Sequence, residues 1–141
     1  MRVMGLDYGD KTVGVAVSDE LGITAQPITT IERERTNKLR KTYQEIEKLI
    51  EEYGVTLLVI GKPVNMNGTE GGRVELTRAF SEELGRRTGL EIVEVDERLT
   101  TAEADRILEE TGVAHSRRKD YIDKMAAAII LQSYLDGRTN R

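Results

Sequence analysis

The run Leu57-Leu58-Val59-Ile60 sets four apolar residues in succession, bounded by Gly61 and Pro63. Successive side chains of a strand point to opposite faces, so an unbroken apolar run fits a strand covered on both sides, the pattern of a parallel sheet. Elsewhere Val13, Val15 and Val17 alternate with Gly14, Ala16 and Ser18. Residues 2–7 and 12–18 therefore read as two short strands joined through a turn containing Gly9 and Asp10, a β-hairpin. A third extended stretch, about residues 23–31, contains Pro27, which suits an edge strand because proline has no N–H for the ladder.

Between these strands the apolar spacing changes to that of helices. From about Asn37 to Tyr53, Leu39, Tyr43, Ile46, Ile50 and Tyr53 step by four and three, with Thr36 available as cap and Gly54 as terminator. A glycine-bearing loop, Gly61 to Gly72, precedes a helix near 73–88 that carries Leu76, Phe80 and Leu84 and stops at Gly89. Ile92, Val93 and Val95 mark a fifth strand. Thr100 with Glu103 forms a capping box for a helix over Ala104, Ile107 and Leu108, ended by Gly112. Tyr121 to Leu135 is helical and almost wholly apolar around Ala126-Ala127-Ala128-Ile129-Ile130-Leu131, which predicts burial against the sheet. The order implies an α/β architecture: a five-stranded mixed sheet, three antiparallel strands plus two parallel, flanked by helices and forming a single domain over 1–141.

Composition narrows the chemistry. With no cysteine, disulfides, zinc-thiolate sites and thiol catalysis are excluded, and a fixed metal would need oxygen ligands or the single His115. Oxygen ligands suit magnesium or manganese. No apolar run approaches the roughly 20 residues that cross a bilayer, and Met1 to Asp7 leaves no room for a signal segment, so the expectation is a soluble, cytoplasmic protein. The net charge of −4 argues at first against a polyanionic partner. Basic residues nevertheless gather in Arg33 to Lys41, at Arg86-Arg87 and in Arg117-Arg118-Lys119, runs that solvated helix faces explain for the most part.

Three acids stand out by position. Asp7 closes the first strand, Glu97 follows directly on the fifth, and Asp123 lies in the first turns of the buried last helix. A carboxylate beside an apolar helix face is costly unless it is paired, protonated or bound to a cation. The three alanines after Asp123 would let that helix approach the central strand closely. Such a cluster suits divalent ions that generate a hydroxide and stabilise the leaving oxygen of a phosphodiester. Each acid also has a purely structural reading: Asp7 as turn former, Glu97 as surface residue, Asp123 as partner of a helix N-terminus. Asp96 points the other way along the strand and is a reserve, and Asp120 suits a capping role. His115 reads as an ordinary solvated side chain.

Gly5-Leu6-Asp7-Tyr8-Gly9 followed by Gly14-Val15-Ala16-Val17-Ser18-Asp19 resembles the start of the YqgF family, described as Holliday-junction resolvases or pre-16S rRNA nucleases. So do Gly61-Lys62-Pro63 with Asn67-Gly68-Thr69, Asp96-Glu97-Arg98-Leu99-Thr100-Thr101, and Ser116-Arg117-Arg118-Lys119 with Ile122-Asp123 and Ala126-Ala127. The resemblance spans nearly the whole chain in order. It implies an RNase H-like fold, a divalent-metal nuclease acting on structured nucleic acid, and processing of the 5′ end of precursor 16S rRNA on pre-ribosomal particles, with RNA favoured over DNA. On that match Asp7, Glu97 and Asp123 take the family's acidic catalytic, metal-holding positions. In the related junction resolvases the middle acid follows the fourth strand; here that place is Gly61, so Glu97 supplies it from the fifth.

The loop Gly61 to Arg73 lacks the Gly-Lys-Ser/Thr ending of a nucleotide P-loop, but its glycines suit close approach of a nucleic-acid backbone. Arg98, Arg117, Arg118 and Lys119 are candidate holders of substrate phosphates, followed by Lys62 and Arg73. Two other readings compete. Asp7-x-Gly9-x-Lys11 also resembles the first phosphate loop of actin-like ATPases and sugar kinases, although the chain carries no second Asp-x-Gly on a matching hairpin. The alternative is a non-catalytic RNA-binding assembly factor. Junction cleavage on DNA would favour a homodimer, and nothing in the sequence separates monomer from dimer.

Overall fold

The first hairpin seeds the sheet. A computed structural model of the chain describes residues 1–9, 11–32, 39–62, 72–96 and 118–139, with side-chain surroundings for all of these except 72–73, 118–123 and 138–139. Strand β1 (Arg2–Tyr8) pairs antiparallel with β2 (Thr12–Ser18), and β2 with β3 (Ala25–Glu32). The chain then crosses through α1 (Arg40–Tyr53) to β4 (Val55–Lys62), parallel to β1, and through α2 (Gly72–Thr88) to β5 (Ile92–Asp96), parallel to β4. The last helix, α3, covers Arg118–Thr139. Strand order is β3-β2-β1-β4-β5, which places Pro27 on an edge and the Leu57–Ile60 run between two parallel neighbours, as its apolar pattern requires.

Two cores lie on opposite faces. Met4, Leu6 and Tyr8 of β1 join Leu58 and Ile60 beneath α1 and α2, while Val3, Val59 and Ala16 pack beneath Ala127, Leu131 and Leu135 of α3. Alternation along β4 decides which residue serves which core, so no strand residue can slip by one without emptying both. Helix α1 ends at Gly54, whose φ of 66° lets its N–H reach the Ile50 carbonyl. Its described start is Arg40 with Leu39 as N-cap and no side-chain cap bond; Thr36 lies outside the described residues. Gly89, at φ 72°, closes α2 in the same way through the Gly85 carbonyl at 2.8 Å. The helix expected over 104–108 and its capping box fall outside the described residues. No helix among the described residues is long and apolar enough to cross a membrane.

Candidate active site

Asp7 is the penultimate residue of β1, and the register fixes its surroundings. Val3 and Gly5 face α3, so alternation turns Asp7 to the same side, where it is half-buried. Its partner on β2 is Gly14, and the residue of β4 one step past the Leu6–Ile60 pair is Gly61. Neither flanking strand therefore sets a side chain beside the carboxylate. Neither glycine has positive φ, so backbone conformation does not demand them; a strand glycine of this kind marks close approach by a ligand or another backbone.

Helix α3 runs antiparallel to β1. At Gly5, an added Cβ would lie 2.7 Å from Leu131 Cβ and 2.8 Å from the Ala127 carbonyl oxygen, so helix and strand meet at backbone contact. The C-terminal half of α3 lies at the other end of the sheet: Gln132 accepts from Ala25 N–H at 2.9 Å, and Ser133, Tyr134 and Gly137 line a depression with Glu91 and Val93. The N-terminal turns of α3 thus lie towards the carboxyl ends of the parallel strands. Asp123 is four residues before Ala127, about one turn or roughly 5.4 Å closer to the end that carries Asp7.

The remaining expected residues divide. Lys62 and Asp96 pair in the β4–β5 ladder and share the face of Leu58, Ile60 and Ile92, the side away from Asp7. Arg73 is the second residue of α2, Arg118 and Lys119 open α3, and Asp120 follows them. Glu97, Arg98, Arg117 and His115 lie outside the described residues. Of the run Arg86-Arg87, Arg86 stays on a solvated helix face and Arg87 ties α2 to α1. Arg86 pairs with Glu83, holding the Glu83 carboxyl below and its own guanidinium above their ordinary pKa values. Arg87 donates to Glu47 at 2.5 Å and sits 5.2 Å from the Tyr43 ring centre.

Residues 1–137 match the family model described as RuvX, Holliday junction resolvase. A relative from Agathobacter rectalis that bears the name "Putative pre-16S rRNA nuclease" is 54% identical over 140 residues, 99% of this chain and 98% of that protein. The chain belongs to the RuvX family of nucleases. A RuvX relative of the same name from Symbiobacterium thermophilum is 51% identical over 141 residues, 100% of this chain and 96% of its own. In fold, the RuvX chain matches T. thermophilus RuvC, solved in complex with a Holliday junction substrate, at a TM-score of 0.63 and 12% identity, covering 99% of this chain and 96% of that one. The fold is RNase H-like, as the motifs imply.

Asp7 offers carboxylate oxygens, the donor type that a hard divalent cation takes. Among the described residues no three possible ligands gather, but Glu97 and the Asp123 side chain stand outside that set. What is described is a half-buried carboxylate with glycine opposite it on both flanking strands, under a helix held at backbone contact. Sequence reading missed Gly14 and Gly5 as parts of this site. Their only trace was two glycines inside otherwise β-branched or apolar strands.

Proposed function

We propose that the chain is a metal-dependent nuclease that hydrolyses phosphodiester bonds in structured nucleic acid, processing the 5′ end of precursor 16S rRNA in the cytoplasm. The observation that carries this reading is the half-buried Asp7, facing α3 at the carboxyl end of β1 with Gly14 across the ladder. The names of the relatives from Agathobacter rectalis and Symbiobacterium thermophilum favour rRNA as substrate. One domain over 1–141 would carry the whole activity.

Asp7, Glu97 and Asp123 would hold magnesium or manganese. Bound there, the ion supplies a hydroxide at neutral pH and charge stabilisation for the departing oxygen. The chain's own contribution is placement. Gly5 lets α3 sit close enough to bring the Asp123 turn toward Asp7, and the glycine floor leaves space for a phosphate beside the acids. Arg98, Arg117, Arg118 and Lys119 would neutralise flanking phosphates, with Lys62 and Arg73 further along the substrate. Junction cleavage is the second reading, favoured by the description of the family model, and it would call for a homodimer presenting two sites.

The test is Asp7→Asn, which keeps volume and removes ligand charge. With magnesium or manganese, the wild type cleaves one of three substrates: a precursor 16S rRNA fragment, single-stranded RNA or a four-way DNA junction. The variant retains its fold by circular dichroism and loses cleavage by at least about a hundredfold. Equal cleavage by the two proteins would rule the assignment out, and the substrate that is cut separates rRNA processing from junction resolution.

A further inference from the structure

The basic residues of this chain are not spread at random. Arg2 pairs with Glu20 at 3.6 Å, Arg78 with Glu75 at 2.8 Å, Arg86 with Glu83, and Arg87 with Glu47. Lys11, Arg40 and Lys41 are exposed and make no hydrogen bond or ion pair with any described residue. All three stand at one end of the molecule. Lys11 lies in the β1–β2 turn, next to the Tyr8–Val13 pair and one residue before Thr12, which pairs with Glu32 at the end of β3. Helix α1 starts on that side and finishes on the other, where Arg2 Nη1 reaches the Tyr53 carbonyl at 3.4 Å and Arg2 pairs with Val55. Its 14 residues, at about 1.5 Å each, separate Arg40 from the opposite end by roughly 20 Å.

Arg40 and Lys41 are also placed against their own helix. The first turn of α1 has no acid and the last turn no base, while Glu51 and Glu52 sit near its negative end. Cations at a helix N-terminus meet the positive end of the macrodipole, so this arrangement weakens the helix. Lys48 is the comparison within the same helix: it too is exposed, but it stands in the middle of α1, away from the positive end of the dipole, with Glu45 three residues before and Glu52 four after, whereas Lys41 has Glu45 alone at such a spacing and Arg40 has Gln44. Exposed positive charge on two separate elements at the end that carries Asp7, opposed on α1 by the helix dipole, is what a phosphodiester backbone would neutralise.

We infer that Lys11, Arg40 and Lys41 form a phosphate-binding ridge that extends the substrate track from the Asp7 end of the sheet across the first turn of α1. The ridge takes the sugar-phosphate backbone of the nucleic acid, without reading its bases. It rests on the nuclease reading only in taking nucleic acid as the ligand. A chain of net charge −4 can hold a polyanion when some of its exposed cations, here Lys11, Arg40 and Lys41, stand together outside the internal ion pairs that engage Arg2 and Arg86.

Binding is measured without divalent ions, so that cleavage plays no part, on a labelled RNA stem-loop and on a four-way DNA junction across a salt series. Arg40→Gln/Lys41→Gln should flatten the slope of log affinity against log salt by roughly 0.7–0.9 per lost phosphate contact, and Lys11→Gln by one such step. At about 0.1 M salt that is roughly a five- to eightfold loss of affinity per contact. The loss occurs on one probe or both, and which one identifies the nucleic acid. Lys48→Gln leaves slope and affinity unchanged, and the double variant melts no lower than wild type because α1 is relieved of charges opposing its dipole. An unchanged slope on both probes, an equal change in Lys48→Gln, or a wild type that binds neither probe overturns the ridge. A wild type that binds but does not cut with magnesium or manganese overturns the nuclease and leaves the ridge standing.

Discussion

At the scale of single residues, Gly5 decides more than its size indicates. It is fully enclosed between β1 and α3, and its missing Cβ is what lets Leu131 Cβ and the Ala127 carbonyl come within 2.7 and 2.8 Å of that position. Neither neighbour is a flexible side-chain tip: one is backbone, the other is fixed directly to the helix. Gly5→Ala must therefore displace α3 as a whole, with an overpacking cost of about 1–3 kcal/mol in denaturant melts. Because the same displacement carries the Asp123 turn away from Asp7, cleavage should fall further than the folded fraction does. A variant that loses stability but cuts at the wild-type rate per folded molecule would show that the distance between strand and helix does not set the site. Gly54, with open space around its Cβ position, is the contrast, since it is required by φ alone.

Among elements, the face of the sheet opposite Asp7 is tied together by a column of rings. Tyr8 stacks on Phe80 with centroids 4.3 Å apart and an interplanar angle of 19°, and Phe80 on Tyr43 at 5.5 Å and 18°, joining β1, α2 and α1 in one line that Arg87 and Glu47 close at the surface. Phe80→Leu keeps an apolar group and removes both ring contacts, each worth about 0.5–1.5 kcal/mol beyond area. Chemical denaturation should show roughly 1–3 kcal/mol lost, and a loss below a few tenths would mean the stack adds nothing to ordinary burial. Such contacts explain what could be read in the chain beforehand. The hairpin, the doubly covered β4 and the buried last helix were legible because alternation and apolar runs are local signals, and Pro27 marked its edge by lacking a donor. The ion pair between Arg87 and Glu47 links positions 40 residues apart, so Arg87 looked like part of a solvated face until the fold closed it, while Arg86 stays on such a face beside Glu83. Asp7 was legible because it is a carboxylate near the end of a largely apolar strand, whereas the glycines opposite it depend on register, and no single strand encodes register.

For the molecule as a whole, the two ends of the sheet have different work. The end around Arg2 and the β2–β3 loop is locked by internal bonds: Asp19 accepts from Ile23 N–H at 2.8 Å and from the Thr24 hydroxyl at 3.3 Å, and Gln132 ties the same loop to α3. The opposite end collects the half-buried Asp7, the N-terminal turn of α3 and the exposed Lys11, Arg40 and Lys41, which have no partner among the described residues. Should Asp7, Glu97 and Asp123 hold a divalent cation as proposed, its binding stabilises the native state specifically. Linkage gives the size: a ligand that binds only the folded form adds about 2.7 kcal/mol at a hundred times its Kd. Magnesium or manganese titrated into the wild type should therefore raise the melting temperature progressively toward high concentration. In Asp7→Asn, one ligand charge is gone, and the gain with metal should be much smaller than in the wild type. That loss of response is not produced by nonspecific cation binding, which would shift both proteins alike. Calorimetry of the two proteins with and without metal reads it directly, and parallel shifts would place the ion away from Asp7.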